Sequence, residues 1–205
     1  MKALAKYLLH LIAIVVVLPL LMVDRCFLLV GAANGSFVGC SQLLSLVPGK
    51  TGSYLRIAFF RFAMKKCHRD CFIGFGTLFS QRDTVICKGV YIGPQCNIGA
   101  CRIGQHTLIA SGVHIMSGTG QHRFDDLETP IRDQGGHFET VTIGEDCWLG
   151  NASLIMAHVG DKTVVGAGSV VNKPLDVYVI AAGNPARVLK TRLAETPSGQ
   201  PSASA

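Results

Sequence analysis

Seven histidines supply the side chains best suited to move protons near neutral pH, and one of them has a distinctive setting. His122 lies in segment 117–126 (SGTGQHRFDD), the start of a polar excursion that goes on to include Glu128, Arg132, Asp133 and Glu139. An imidazole can accept and release a proton within one reaction, and Asp125 or Asp126 is near enough in sequence to orient it. His114, one residue before Ile115, is the rival; His106, His137 and His158 read as structural or exposed. Of the eight cysteines, Cys67 and Cys71 cluster tightly but lack the second pair a zinc site needs. The thiols are therefore expected to be reduced and packed as small hydrophobes.

What positions these residues is a repeat. An aliphatic residue, usually followed by Gly, recurs at steps near six: Ile92, Ile98, Ile103, Ile109 and Ile115. Past the polar excursion come Ile143, Leu149, Ile155, Val159, Val165 and Val171. Neither a helix of period 3.6 nor a simple strand of period 2 gives this spacing. It fits short strands that each turn one aliphatic inward, three to a coil, with stacked coils aligning the aliphatics in ladders. Cys96 and Cys147, each two residues before an aliphatic position, are small enough to tuck inward. The excursion at 117–140 then becomes a loop on a rigid scaffold, where function commonly resides.

Composition adds a second theme. Of 205 residues 49% are hydrophobic and 16% charged, which excludes a disordered chain. The net charge of +6 belongs to residues 1–70, with nine basic residues against two acidic; the remainder holds ten against eleven. A basic apolar segment before a near-neutral domain points to anionic lipid rather than nucleic acid, since the domain has no basic stripe. Residues 7–23 carry no full charge and would span ~25 Å as a helix, and no small-x-small cleavage site follows closely. A retained anchor is expected. Residues 26–49 form a second uncharged run.

Lys2 and Lys6 precede the two runs, and Lys50, Arg56, Arg61, Lys65, Lys66 and Arg69 follow. The positive-inside rule then predicts two short passes joined at Asp24 and Arg25, as a hairpin or a re-entrant loop, with a single span as the alternative. Residues 52–66 predict a basic aromatic helix that sets Phe59, Phe60 and Phe62 against lipid, or else packs on the domain that follows. The organisation expected is a membrane anchor at 1–49, a basic connector at 50–72, the repeat domain at 73–190 and a disordered Ser/Pro/Ala tail at 191–205.

Three stretches, 143–150 (IGEDCWLG), 165–173 (VGAGSVVNK) and 182–188 (AGNPARV), resemble the hexapeptide-repeat acyltransferases, in the galactoside, maltose and xenobiotic acetyltransferase branch. The resemblance covers residues 73–187. The apolar N-terminus is similar instead to membrane-associated acetyltransferases of polysaccharide biosynthesis. It implies an all-β, left-handed parallel β-helix, a homotrimer with sites between subunits, and acetyl-CoA as donor without a metal. By the same resemblance His122 is the general base, and Trp148 lies near the cleft. Gly166, Ala167, Gly168 and Ser169 let the cofactor's arm approach, while Lys173 and Arg187 reach its phosphates. The acceptor implied is a sugar hydroxyl of a cell-surface polysaccharide or lipid-linked precursor, handled at the cytoplasmic side of the membrane. An amino-sugar N-acyltransferase is the alternative, and a non-catalytic β-helix a further one. A zinc-dependent β-helix enzyme of the carbonic-anhydrase kind fits poorly, because His106, His114 and His122 are spaced by eight.

Overall fold

The computed structural model describes residues 2–31 and 33–193; most of the expected tail, 194–205, lies outside the described residues. From Lys66 onward the chain winds as a left-handed parallel β-helix of about six turns. The first coil holds β1 (Lys66–Cys67), β2 (Phe72–Ile73) and β3 (Leu78–Phe79), and the second β4 (Val85–Ile86), β5 (Tyr91–Ile92) and β6 (Asn97–Ile98). The third holds β7 (Cys101–Ile103), β8 (Leu108–Ile109) and β9 (His114–Ile115), and the fourth β10 (Val141–Ile143), β11 (Trp148–Leu149) and β12 (Leu154–Ile155). Bridges through Val159 and Leu175 continue the first face, while β13 (Val164–Val165), β14 (Val170–Val171) and β15 (Val179–Ala182) complete the others. A final strand, β16 (Arg187–Thr191), folds back antiparallel on β15.

The predicted ladders are present, one per face. Cys67, Ile86, Ile103, Ile143, Val159 and Leu175 stack along the first face. Ile73, Ile92, Ile109, Leu149, Val165 and Ala181 stack along the second. Phe79, Ile98, Ile115, Ile155 and Val171 fill the third. Two-residue strands cannot stand alone; each is held by the rungs above and below, so the stack forms one continuous core.

Small polar residues staple the corners. Thr107 donates to the Gly144 carbonyl (2.8 Å) and accepts from the Cys147 amide (3.1 Å), and Thr163 and Thr77 repeat the motif on other coils. Cys96 and Cys147 occupy such positions, both buried, as their spacing predicts. Burial raises both thiols, and pushes that of Cys101 up to about 12, which keeps them unreactive.

Three helices close the N-terminal end: α1 (Lys2–Leu29), α2 (Ala33–Ser45) and α3 (Gly49–Ala63). The first coil has no rung beneath it, so its backbone groups pair with these helices. Ser53 Oγ accepts from the Ile73 amide (3.1 Å), Ser41 Oγ accepts from the Phe79 amide (2.9 Å), and the Gly76 amide donates to the Ser45 carbonyl (2.9 Å). Arg56, fully buried, donates from Nε to the Ile73 carbonyl (3.1 Å) and from Nη1 to the carbonyls of Leu44 (2.9 Å) and Val47 (2.8 Å). Burial pushes its guanidinium down to about 10, still charged at neutral pH. Gly52 makes room for this arrangement: a Cβ there would lie 1.9 Å from the Val47 carbonyl oxygen.

In the N-terminal third the reversal falls later than the expected join at Asp24 and Arg25. The helix α1 runs straight through Asp24 and Arg25, and the chain reverses at Val30 and Gly31 instead. Asp24 is absorbed because it has a partner: it is fully buried and ion-paired with Arg82 (2.5 Å), and Ser36 Oγ donates to it (2.8 Å). His10, Ala13, Val17, Leu21 and Asp24 form the buried stripe of α1, three or four residues apart as helix packing requires. The second apolar run becomes α2, whose Phe37 and Leu44 are buried in the core. In α3, Arg56, Phe59 and Phe60 face inward rather than reaching lipid, and only Phe62 of the three aromatics is exposed. Among the described residues one helix, Lys6–Leu29, is long and apolar enough to cross a membrane by length and composition.

Replacing Arg56 by Met keeps much of the volume but strands the Ile73 and Val47 carbonyls and leaves that of Leu44 with the Val47 amide alone. The expected loss is about 3 kcal/mol of stability, read from chemical denaturation; an unchanged midpoint would refute this account of the cap.

Candidate functional site

The loop at 117–140 leaves the scaffold after β9 and returns into β10, at the corner between the third face and the first. Its two limbs pair with one another. The Glu139 amide donates to the Ser117 carbonyl (2.9 Å), His137 to Gly120 (2.7 Å) and Arg123 to Gly135 (2.9 Å). Gly136 lies so close to the opposite limb that a Cβ would stand 1.9 Å from the Gln121 carbonyl oxygen. His122 is thus carried at a defined place in the ribbon, exposed, and its imidazole makes no hydrogen bond among the described residues.

The two candidate orienting carboxylates are occupied elsewhere. Asp125 pairs with Arg123 (2.7 Å). Asp126 accepts from the amides of Glu128 (2.9 Å) and Thr129 (3.4 Å), while Gln134 Nε2 donates to the Asp126 carbonyl (2.7 Å). Asp126 therefore shapes the tip of the loop rather than the His122 ring. Thr129 and the Glu128 amide hold its carboxyl below the usual range.

Beneath the loop, the outer side of the third face forms a cavity of about 290 Å³. His114 is exposed on its floor, beside Asn97 one rung below and Leu154 one rung above, with Gln121 and Phe138 of the loop contributing to the lining. Asn97 was legible in principle, since it precedes Ile98 as His114 precedes Ile115, so the two point outward in the same phase one coil apart. Gln121 and Phe138 carried no such signal, because the loop has no repeat.

The remaining candidates fall on the two corners flanking this face. Residues 166–169 turn between β13 and β14 and touch the hairpin leading to Arg187: the Gly183 amide donates to Ser169 Oγ (3.1 Å), Val170 donates to the Gly183 carbonyl (2.9 Å), and Ala186 donates to the Val170 carbonyl (2.8 Å). Ser169 is fully buried in that turn, its amide paired with the Gly166 carbonyl (3.4 Å) and its carbonyl with the Leu154 amide (2.8 Å), so it presents neither hydroxyl nor backbone at the surface. Gly166 lies against the coil above, where a Cβ would meet Ala182 at 2.8 Å, whereas Ala167 and Gly168 are exposed. Lys173 follows β14 at the other corner, the one from which the loop departs, and is separated there from Arg187; both are exposed.

His158 belongs to that corner too, its Nδ1 accepting from the Thr142 amide (2.9 Å), which leaves Nε2 as the protonated nitrogen of the neutral ring. Trp148 stands apart. It points outward from the second face, half exposed, in an apolar row of Phe72, Tyr91, Leu108, Trp148, Val164 and Ile180. Among the described residues no group of three or more His, Cys, Asp or Glu converges as a metal site.

A left-handed hexapeptide coil with one polar loop interrupting it defines a class of protein, and comparison with known proteins agrees. No family model matches the chain. It is similar to the galactoside O-acetyltransferase of Escherichia coli K12, 38% identical over 91 residues that cover 43% of this chain and 42% of that protein. It is also similar to that organism's colanic acid biosynthesis acetyltransferase WcaF, 34% identical over 111 residues, 50% of this chain and 56% of that one. The chain thus spans about half the length of these relatives. In fold it matches a galactoside acetyltransferase solved with coenzyme A (TM-score 0.58, 22% identity, 76% of this chain and 78% of that one). It also matches a maltose O-acetyltransferase from Clostridium difficile 630 (TM-score 0.54, 20% identity, 77% of this chain and 85% of that one). The chain has the fold of the hexapeptide-repeat acetyltransferases, and its curated relatives are named as acetyltransferases.

Asp126→Ala is expected to speed limited proteolysis within 117–140 several-fold, while Asp125→Ala leaves the cleavage rate unchanged. Because the Asp126 carboxyl is held low, its cap persists through the ordinary carboxylate range and is lost only as pH falls below that range, through the lowered value, so cleavage by an acid-stable protease rises there.

Proposed function

We propose that this protein transfers an acetyl group from acetyl-CoA to a hydroxyl of a sugar, in a surface polysaccharide or its lipid-linked precursor. The observation that carries the reading is the paired loop bearing His122 above a cavity floored by His114 and Asn97, on the fold of known acetyltransferases. The exposed turn at Ala167 and Gly168 and the cations Lys173 and Arg187 flank the same face and suit a pantetheine arm and its phosphates.

In the reaction, the acceptor oxygen attacks the thioester carbonyl carbon as the His122 imidazole takes the hydroxyl proton. The tetrahedral intermediate collapses with cleavage of the carbon–sulfur bond, and the imidazolium returns the proton to the leaving thiolate. The His122 ring is exposed and makes no hydrogen bond among the described residues, which suits both transfers.

The same reading includes a homotrimer and a membrane. The flat apolar row around Trp148 on the second face is suited to burial against a second copy, and a three-sided prism packs around a threefold axis. The broad apolar surface of α1, with Leu8, Leu11, Ile12, Val15, Val16 and Val23 exposed, suits the interface of a bilayer. Its ends are tied to the β-helix by Lys6 with Asp70 (2.9 Å) and by Asp24 with Arg82, so an orientation in the membrane plane fits better than a free span.

With the detergent-extracted protein, thiol release from acetyl-CoA in the presence of glycan acceptors is the direct assay. His122→Ala should lower kcat by about 10²- to 10⁴-fold with the protein still folded. Acceptor-dependent release that survives in His122→Ala and is lost in His114→Ala would transfer the role of base to His114. Failure to bind acetyl-CoA would remove the enzyme reading.

A further inference from the structure

Away from the third face, at the N-terminal end of the β-helix, a second cavity of about 260 Å³ opens between α1, α3 and the first coil. Its lining includes Lys6, His10, Lys50, Tyr54 and Arg69, and a contiguous recess of about 200 Å³ shares Lys6, His10 and Arg69 and adds Arg61. Asp70 is the one carboxylate among the residues lining either recess, and Lys6 already neutralises it at 2.9 Å. Lys50 and Arg69 make no salt bridge within the described residues. His10 is only 6% exposed, yet neither ring nitrogen has a hydrogen-bond partner among the described residues. The Tyr54 ring meets it edge-on at 4.8 Å. A buried imidazole without partners is costly, and a ligand in the cavity would supply the missing acceptor.

The other half of the ligand can be read from the adjoining surface. An apolar groove of about 350 Å³ between α1 and α3 shares Lys50 and Tyr54 with the basic cavity and continues over Leu9, Ile12, Val16 and Leu55. Cations gather at one end and hydrocarbon lines the other. That polarity matches a single class of molecule, an anion carried on a long apolar chain, and offers a peptide or nucleotide few partners along the groove.

We propose that this is a lipid-phosphate site, with the phosphate held by His10, Lys50 and Arg69 and the hydrocarbon chain lying in the groove between α1 and α3. Its two sources are a phospholipid of the bilayer and an isoprenoid phosphate of the kind that carries glycans. The site holds whether or not acetyl transfer is the chemistry of the third face, because it uses none of those residues.

The test is native mass spectrometry of the full chain in a neutral detergent, titrated with farnesyl phosphate, phosphatidic acid, farnesol or inorganic phosphate. At least one of the two lipid phosphates should bind saturably, one per chain, while farnesol lacks the anion and inorganic phosphate lacks the tail, so each should bind about tenfold more weakly or worse. The Lys50→Gln/Arg69→Gln variant should lose about tenfold in affinity, and Lys65→Gln/Lys66→Gln, with the same change in charge, should lose none. A preference for farnesyl phosphate or for phosphatidic acid identifies the source and supports the site. Farnesol or inorganic phosphate binding as tightly as the lipid phosphates, or equal losses in the two double variants, would overturn the proposal. His10→Phe, which keeps a ring against Tyr54, should weaken binding while leaving the thermal midpoint within a few degrees; undiminished binding in it removes His10 from the site.

Discussion

A stack of parallel coils has an open edge at each end, and the backbone amides and carbonyls of the terminal coil must find partners or pay desolvation. In this protein the constraint is met at the N-terminal end by side chains rather than by another strand. Arg56 ties the Ile73 carbonyl to two carbonyls at the end of α2, and Ser41 and Ser53 accept the amides of Phe79 and Ile73. Everything above depends on this. The first rung sets the register of the second, and that register passes through the ladders to the corner where the loop leaves. At the far end, β16 folds back on β15 and covers the last rung of the second face.

The β-helix was legible because its signal is periodic. An aliphatic at steps near six can be read from residues 92–115 and 143–171 without knowing which coil each belongs to, and the positions of Cys96 and Cys147 follow from the same phase. The N-terminal third was read less well for a physical reason. Hydropathy reports that a segment leaves water but not whether lipid or protein receives it. Phe59 and Phe60 pack on the first coil, and Asp24 is stabilised by Arg82, a residue 58 positions away. No local pattern encodes a partnership of that range.

The candidate site divides along similar lines. His114 and Asn97 obey the outward phase of the repeat, and the turn at 166–169 is part of it. Gln121 and Phe138 come to the cavity through cross-limb pairing in a loop with no period, and the carboxylates near His122 proved to serve the loop itself. Trp148 shows how a family pattern can fix a residue's identity while the face it occupies, the second rather than the third, emerges only from the wound chain.

The loop at 117–140 enters and leaves without disturbing the rungs on either side: Val141 pairs with Cys101 and Ile143 with Ile103, much as Ile86 pairs with Ile103 one coil below. The scaffold therefore keeps its thread whatever length of chain is spliced in at that corner. Ser117 still belongs to the scaffold, its hydroxyl accepting from the Ala100 amide (2.8 Å), but the exposed stretch from Gln121 to Phe138 is spliced in above it, so descendants of this sequence can exchange that stretch while inheriting the same prism. Selection on the loop and selection on the inward ladders then act on separate stretches of one gene, while the outward residues of the third face answer to both.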